Sequence, residues 1–225
     1  LDLDYGTADI KFYKDAATVT KSFTKLPSGT YYVKVAPYKK AGNGIRVLGK
    51  WSERKSVKIT EGASLKTMIN AINTKDNYHA NDILEWTEGD VDIRDYSTTY
   101  DKFMAIYRWH ALHAQEFVHC LACHENFSIC IFYLLGYQDR EDYPRIWIDA
   151  GNYINSSGSL TEHKWSVIHF GLKPYIFDPR MQGYINKKGS DYFGFTKSSS
   201  LYKKHYDYEG HWEFFAGYRV YYLYF

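Results

Sequence analysis

The sequence predicts an α+β protein with a small all-β unit over residues 1–60 and a larger domain over residues 61–225. Three patterns support this prediction. Apolar residues alternate with the period of a strand before residue 60, and they recur at helical spacing in the middle of the chain. Strand-like alternation then returns and continues to the C-terminus, so the larger domain is expected to have a helical half and an antiparallel-sheet half.

The composition argues against two classes of partner. The chain has 225 residues, and 28 basic residues against 26 acidic ones give a net charge of only +2, without the basic patches of a nucleic-acid-binding protein. No apolar run approaches the roughly 20 residues that a membrane helix needs. The opening "LDLDYGTADI" is acidic and lacks the pattern of a secretion signal, so we expect the chain to be part of a longer protein.

Three strand-like segments make up the N-terminal unit. They are "ADIKFYKDA", "TYYVKVAPYKK" and "IRVLGKWSERKSVKIT", with the turn sequences "LPSGT" and "AGNG" between them. Residues 25–59 also resemble the later half of a fibronectin type III domain of bacterial surface proteins. The resemblance implies an extracellular or cell-surface location and an incomplete module. It is carried by Leu26, Tyr31, Tyr32, Val33, Val35, Tyr38, Gly49, Trp51 and Ser52.

Three segments in the middle of the chain predict helices. The first has apolar residues on one face, the second has a broad inner face that includes Trp109 and His110, and the third is apolar on nearly every side, which is typical of a buried helix. They are "EGASLKTMINAIN", "YDKFMAIYRWHALHAQEF" and "CHENFSICIFYLLGY".

The strands that follow include a hairpin that brings a histidine and a carboxylate together. A turn at Gly171 and Leu172 would place Trp165 opposite Asp178 and His163 one diagonal step away, whereas a turn one residue earlier would place His163 directly opposite Asp178. In both registers the Cβ atoms of His163 and Asp178 lie within roughly 4.5 to 8 Å, so the carboxylate is able to orient the imidazole.

The three cysteines, Cys120, Cys123 and Cys130, lie within eleven consecutive positions, a pattern unlike a disulfide framework. We expect Cys123 to open the apolar helix, where the helix dipole and a neighbouring histidine favour a thiolate. Cys130 lies inside the apolar run and is expected to be a core residue.

The chain order Cys, His, Asp resembles a transglutaminase-like domain, which has a papain-related core. The match covers about residues 97–208 and is strongest in "HKWSVIHFGLKPYIFDP", through His163, Trp165, Gly171, Tyr175, Asp178 and Pro179. It implies a catalytic triad of Cys123, His163 and Asp178, with Trp165 either lining the acyl site or packing in the core.

The family pattern leaves the nucleophile open. Counted back from Leu134 and Leu135, it places His124 in the cysteine slot, so that Cys123 is one residue out of register and Cys120 is four residues out. Three alternatives follow: Cys123 attacks, Cys120 attacks, or the slot has become histidine and catalysis has been lost.

The function implied by the resemblance is cysteine-dependent hydrolysis or acyl transfer on protein or peptide amides, including cell-wall peptides, without a cofactor. A degenerate scaffold that binds a cell wall or mediates adhesion is the first alternative. The second is a zinc site, because Cys120 and Cys123 have a ligand spacing and four histidines are near. These are His110, His113, His119 and His124. Cys-x-x-Cys is also a redox spacing, although no β-α-β pattern surrounds it.

Overall fold

The computed structural model describes residues 29–42, 45–59, 62–72, 79–135, 146–170, 173–215 and 218–222. Its contacts divide the chain into two units, Leu1–Ser64 and Leu65–Phe225. The predicted strand "ADIKFYKDA" and the predicted turn residues Gly171 and Leu172 lie outside the described residues.

The first unit contains two antiparallel ladders in its described part. Strand β1 (Gly29–Val33) pairs with β4 (Lys55–Ile59), and β2 (Tyr38–Lys40) pairs with β3 (Arg46–Leu48). The two long predicted strands are therefore each interrupted, and the Gly49 N–H donates to the Pro37 carbonyl across the break. The identity of this unit as a fibronectin type III domain stays a prediction.

The helical half of the second unit precedes its sheet. It consists of α1 (Leu65–Asn70), α2 (Ala80–Trp86), a 3-10 turn (Ile93–Asp95), α3 (Thr99–Leu112) and α4 (Cys120–Leu135). Helix α2 lies between the first and second predicted helices and was not predicted, because it buries only Ala80 and Ile83 and shows no clear period.

One antiparallel sheet forms the other half. Its strands are β5 (Ile146–Ile154), β6 (Leu160–Phe170), β7 (Lys173–Phe177), β8 (Phe193–Phe195), β9 (Tyr206–Phe215) and β10 (Tyr218–Tyr222), in the order β10-β9-β5-β6-β7-β8. Helix α5 (Pro179–Ile185) lies between β7 and β8 in the chain, and α6 (Ser200–His205) lies between β8 and β9. The predicted α+β class with an antiparallel sheet is confirmed.

The two short helices inserted among the strands were not predicted, although each carries a capping signal. The Asp178 carboxylate accepts the Met181 N–H at the start of α5, and the Ser199 hydroxyl accepts the Tyr202 N–H at the start of α6. The few buried residues of α5 and α6 do not show helical periodicity, so only these caps mark the two helices in the sequence.

Strand β6 lies at the centre of the core, and all of its residues from 163 to 170 are buried. On the helical side, Phe103 of α3 packs against Phe170 and Phe177. On the other side, Trp165 and Val167 belong to a cluster rich in tyrosine. The tyrosines in this cluster are Tyr153, Tyr192, Tyr202 and Tyr206.

Gly183 allows α5 to approach the end of α3 closely. A Cβ atom at this position would collide with the Ala111 carbonyl oxygen and the Ala114 Cβ. We expect Gly183→Ala to lower the free energy of unfolding by about 1–2 kcal/mol, because overpacking outweighs the better helix propensity of alanine. Urea denaturation followed by tryptophan fluorescence measures this effect. Gly210→Ala in β9 is the control, since its Cβ would meet nothing within 4 Å, and equal losses for both variants would contradict the packing argument.

Candidate active site

The β6–β7 hairpin places His163 beside Asp178. Phe170 lies opposite Lys173 and Ser166 lies opposite Phe177, which is the register expected for a turn at residues 171–172. Asp178 follows β7 directly. The His163 Nε2 atom lies 2.7 Å from Asp178 Oδ2, and both side chains are buried.

Both oxygens of the Asp178 carboxylate are engaged by other groups as well. The Tyr206 hydroxyl donates to Oδ2 at 2.7 Å, and the Met181 N–H donates to Oδ1 at 2.9 Å. The His124 Nε2 atom lies 3.3 Å from Oδ1, at ion-pair distance but in a direction that falls short of hydrogen-bond geometry. The carboxylate is therefore held in one orientation by contacts on both sides.

Cys120 is the first residue of α4, so this helix begins one turn before the predicted start at Cys123. The reason lies in the residue before it: the His119 Nδ1 atom accepts the Ala122 N–H at 3.0 Å and caps the first turn. Cys120 is partly exposed, and its thiol occupies the N-terminal end of a 16-residue helix. The helix dipole favours a negative charge at this position.

The surroundings of Cys120 favour its thiolate form. Burial alone would raise the pKa of this thiol, but hydrogen bonding to His163, the charge of the His163 ring and the backbone N–H of Lys164 together lower it. The pairing of β6 with β7 ends at Ser166 and Phe177. Lys164 lies before this pair, on a part of β6 that does not pair with β7. Since Asp178 bonds to Nε2 of His163, the Nδ1 atom is left to face the thiol.

The histidine and the carboxylate have coupled ionisation. Burial alone would lower the pKa of His163, but Asp178 and Cys120 raise it to about 9. Burial alone would raise the pKa of Asp178, but the charge of His163 and the contacts with His124 and His163 hold it well below its usual range. Near neutral pH this favours an imidazolium ring between a carboxylate and a thiol whose pKa is lowered.

Helix α5 also fixes the segment that leads to the thiol. The Arg180 guanidinium donates to the carbonyl oxygens of Ala114 and Phe117 at 3.0 and 3.2 Å. Arg180 lies two residues after Asp178. The first turn of α5 therefore positions both the carboxylate of the candidate triad and the backbone that precedes Cys120.

Cys123, the cysteine that the sequence analysis placed in the triad, occupies a different environment. Its side chain is completely buried, and burial together with the nearby Asp178 charge raises the pKa of its thiol. The structure thus brings His163 and Asp178 together with the alternative nucleophile, Cys120. Cys130 is also buried, as predicted for a core residue, and its thiol donates to Asn126 Oδ1 at 3.5 Å.

His124 is part of the site, but it lies beside Asp178 and was not predicted to have this role. The family pattern put it in the cysteine slot, four residues after Cys120, and four residues are close to one helical turn. Both side chains therefore lie on the same face of α4. His124 is completely buried, burial lowers its pKa, and its Nδ1 atom lies 3.0 Å from Ser166 Oγ. The spacing of four residues between Cys120 and His124 was the feature of the sequence that could have placed His124 in the site.

Trp165 is completely buried, and its ring packs against that of Tyr206 at a centroid distance of 4.9 Å. Of the two roles predicted for Trp165, core packing agrees with its position. The side chain has no exposed surface with which to line an acyl site. Its indole contributes to the rigid wall behind His163, whose ring centroid lies 6.2 Å away.

Three of the histidines considered for a zinc site contact separate partners. His110 contacts Asn126, His113 contacts Glu116, and His119 caps α4. Among the described residues, the group whose ligand atoms lie within 4.8 Å of one another consists of His124, His163 and Asp178, without either cysteine. A direct 2.7 Å contact joins His163 to a carboxylate that is already fully engaged, so this group fits a hydrogen-bonded network better than a metal centre.

Searches against protein-family models, curated proteins and solved structures found no match for this chain. None of the helices in the described parts of the chain is both long and apolar enough to cross a membrane.

The raised pKa of His163 gives a direct test of the site. Because its value of about 9 lies above the roughly 6.5 of an unfolded histidine, the stability supplied by the charged ring is complete below pH 6.5 and is lost as the pH rises toward 9. We expect Asp178→Asn to lower the pKa of His163 by about 2 units or more, because burial then acts without the opposing charge. An NMR titration of the imidazole nitrogens measures it.

His110 provides an internal control in the same titration. Burial lowers its pKa to about 4, and its partners are the Ile106 carbonyl and Asn126. Its signals should therefore stay constant between pH 6 and pH 10 in both proteins. A His163 pKa near 6.5 in the wild type, or one that Asp178→Asn leaves unchanged, would contradict the coupled pair.

Proposed function

We propose that this protein is a cysteine hydrolase or acyltransferase that acts on amides of proteins or peptides, with Cys120 as nucleophile. The single observation that carries the proposal is the placement of His163 between two groups: its ring lowers the pKa of the Cys120 thiol, and its Nε2 atom lies 2.7 Å from Asp178 Oδ2. The order of these residues along the chain and their elements support a transglutaminase-like, papain-related domain. The cysteine lies at the N-terminus of α4, the histidine lies in β6, and the aspartate directly follows the neighbouring strand β7.

The geometry supports a two-step mechanism. The Cys120 thiolate attacks the carbonyl carbon of the amide, and the oxyanion that forms accepts the Cys120 backbone N–H, which has no partner within the helix. The His163 imidazolium then gives its proton to the leaving nitrogen, and the C–N bond breaks to leave an acyl thioester on Cys120.

In the second step, neutral His163 takes a proton from a water molecule or an acceptor amine as that group attacks the thioester. The C–S bond breaks, Cys120 leaves as the thiolate, and the ion pair is restored. Asp178 keeps the ring oriented and stabilises its charged form throughout. Tyr206, His124 and Arg180 act as positioning residues, because they hold the carboxylate or the segment before Cys120.

The proposal covers protease, deamidase and transglutaminase activity, which differ in the leaving group and in the acceptor. The resemblance of residues 25–59 to fibronectin type III domains of bacterial surface proteins supports substrates outside the cell, including cell-wall peptides. A scaffold that has lost catalysis would share the fold but would have no need for a reactive thiol at Cys120.

Selective alkylation is the first test of the nucleophile. At pH 7 we expect iodoacetamide to modify Cys120 first, and we expect His163→Ala to slow this reaction at least about tenfold, because the thiolate loses its partner. Peptide mapping by mass spectrometry identifies the modified residue. Cys123→Ser is the matched control, since it removes a buried thiol in the same helical turn and should leave the rate unchanged. Equally slow reaction of Cys120 in the wild type and in His163→Ala would favour the degenerate scaffold.

Turnover is the second test. With a panel of peptides that carry glutamine side chains or scissile backbone amides, release of ammonia or of a new amine is measured. Cys120→Ser should lower kcat/KM by about 10³-fold or more on any substrate that is turned over. Cys130→Ser should leave it unchanged, because that residue lies in the core away from His163. Activity that survives in Cys120→Ser but is lost in Cys123→Ser would overturn the assignment.

A further inference from the structure

Cys123 is a buried thiol one helical turn from the proposed nucleophile, and the proposed acyl chemistry does not use it. The two cysteines occupy positions 120 and 123 of α4, at its first turn. In an α-helix, residues three apart have Cα atoms about 5 Å apart, which follows from the rise and radius of the helix. That spacing lies inside the roughly 4.4 to 6.8 Å over which a disulfide joins two Cα atoms.

The two thiols differ in solvent accessibility, so each is suited to a different step of thiol–disulfide exchange. Cys120 is partly exposed, at a helix N-terminus and beside His163, so it is the thiol that an external disulfide is able to reach. Cys123 is completely buried, so it is reached only from inside the protein. Burial and the charge of Asp178 raise the pKa of Cys123, so this thiol stays protonated until it reacts.

We propose that Cys120 and Cys123 form a reversible dithiol–disulfide pair that is oxidised by low-molecular-weight disulfides such as oxidised glutathione. In the first step, the Cys120 thiolate attacks one sulfur of oxidised glutathione. The Cys120–glutathione bond forms, and one glutathione leaves as its thiolate.

In the second step, Cys123 attacks the sulfur of Cys120, and its proton passes to the sulfur of the departing glutathione. The bond between Cys120 and glutathione breaks, and the second glutathione leaves. Two cysteine thiols have then been oxidised to one disulfide, and one molecule of oxidised glutathione has been reduced to two of glutathione. The acyl-transfer nucleophile is blocked until a reductant restores it, and this last consequence rests on the proposed function, whereas formation of the bond does not.

The third cysteine gives a natural control. Cys130 lies seven residues beyond Cys123 in the same helix, and the rise of about 1.5 Å per residue separates their Cα atoms by about 10 Å, too far for a disulfide. Oxidation should therefore consume two of the three thiols and always spare Cys130.

The test treats the full chain with oxidised glutathione and follows its intact mass. For the wild type we expect a product lighter by two hydrogen atoms, with a single thiol, that of Cys130, left for alkylation after denaturation. Cys130→Ser should give the same internal bond. Cys123→Ser should instead accumulate a glutathione adduct on Cys120 that persists at least about tenfold longer, because the intramolecular attack is gone.

Two results would overturn the proposal. One is a glutathione adduct on the wild type that is as persistent as the adduct on Cys123→Ser. The other is an internal bond that requires Cys130. The mass measurement needs no substrate, so failure of the disulfide and failure of the acyl-transfer proposal are separate outcomes. Where turnover is found, the oxidised wild type should lose it and regain it with dithiothreitol, whereas Cys123→Ser should lose it to the adduct.

Discussion

The candidate site depends on one buried carboxylate. Asp178 is completely inaccessible to solvent, and a buried charge is costly unless other groups compensate it. Tyr206, His163 and the backbone N–H of Met181 provide hydrogen bonds, and His124 lies at ion-pair distance. These groups come from α4, β6, α5 and β9, so the carboxylate is compensated only when the helical half and the sheet half are assembled.

Asp178 is also the N-cap of α5, and its two roles determine the arrangement of the site. The Asp178 side chain caps α5 through the Met181 N–H, and Arg180 in the first turn of that helix holds the carbonyls of Ala114 and Phe117. The close approach of α5 to the end of α3 requires glycine at position 183. The segment before Cys120 and the partner of His163 are therefore fixed by one short helix, and a shift of that helix would disturb both.

Some of this arrangement was readable from the sequence, and the reasons are local. Side chains alternate in a strand, so a separation of fifteen positions between His163 and Asp178, with a turn near the middle, places both side chains on one face of the sheet in either register. The α+β class followed from the change in hydrophobic period along the chain. The long helices α3 and α4 gave clear signals, and the short helix α1 was found because its apolar residues recur at helical spacing as far as Ile72. Helices α2, α5 and α6 were missed, because their few buried residues do not establish a period.

The sequence by itself determined which residue types were available for the site: the histidine and aspartate of one hairpin, and a group of cysteines at the start of an apolar helix. Only the tertiary structure decided which cysteine meets the histidine. The start of a helix depends on its cap, which here is the His119 ring. Because α4 starts one turn earlier than predicted, Cys120 lies at its N-terminus and Cys123 lies in the core. The cap is a local contact, but which cysteine of α4 faces His163 depends on the packing of α4 against β6 and α5, which the local pattern does not contain.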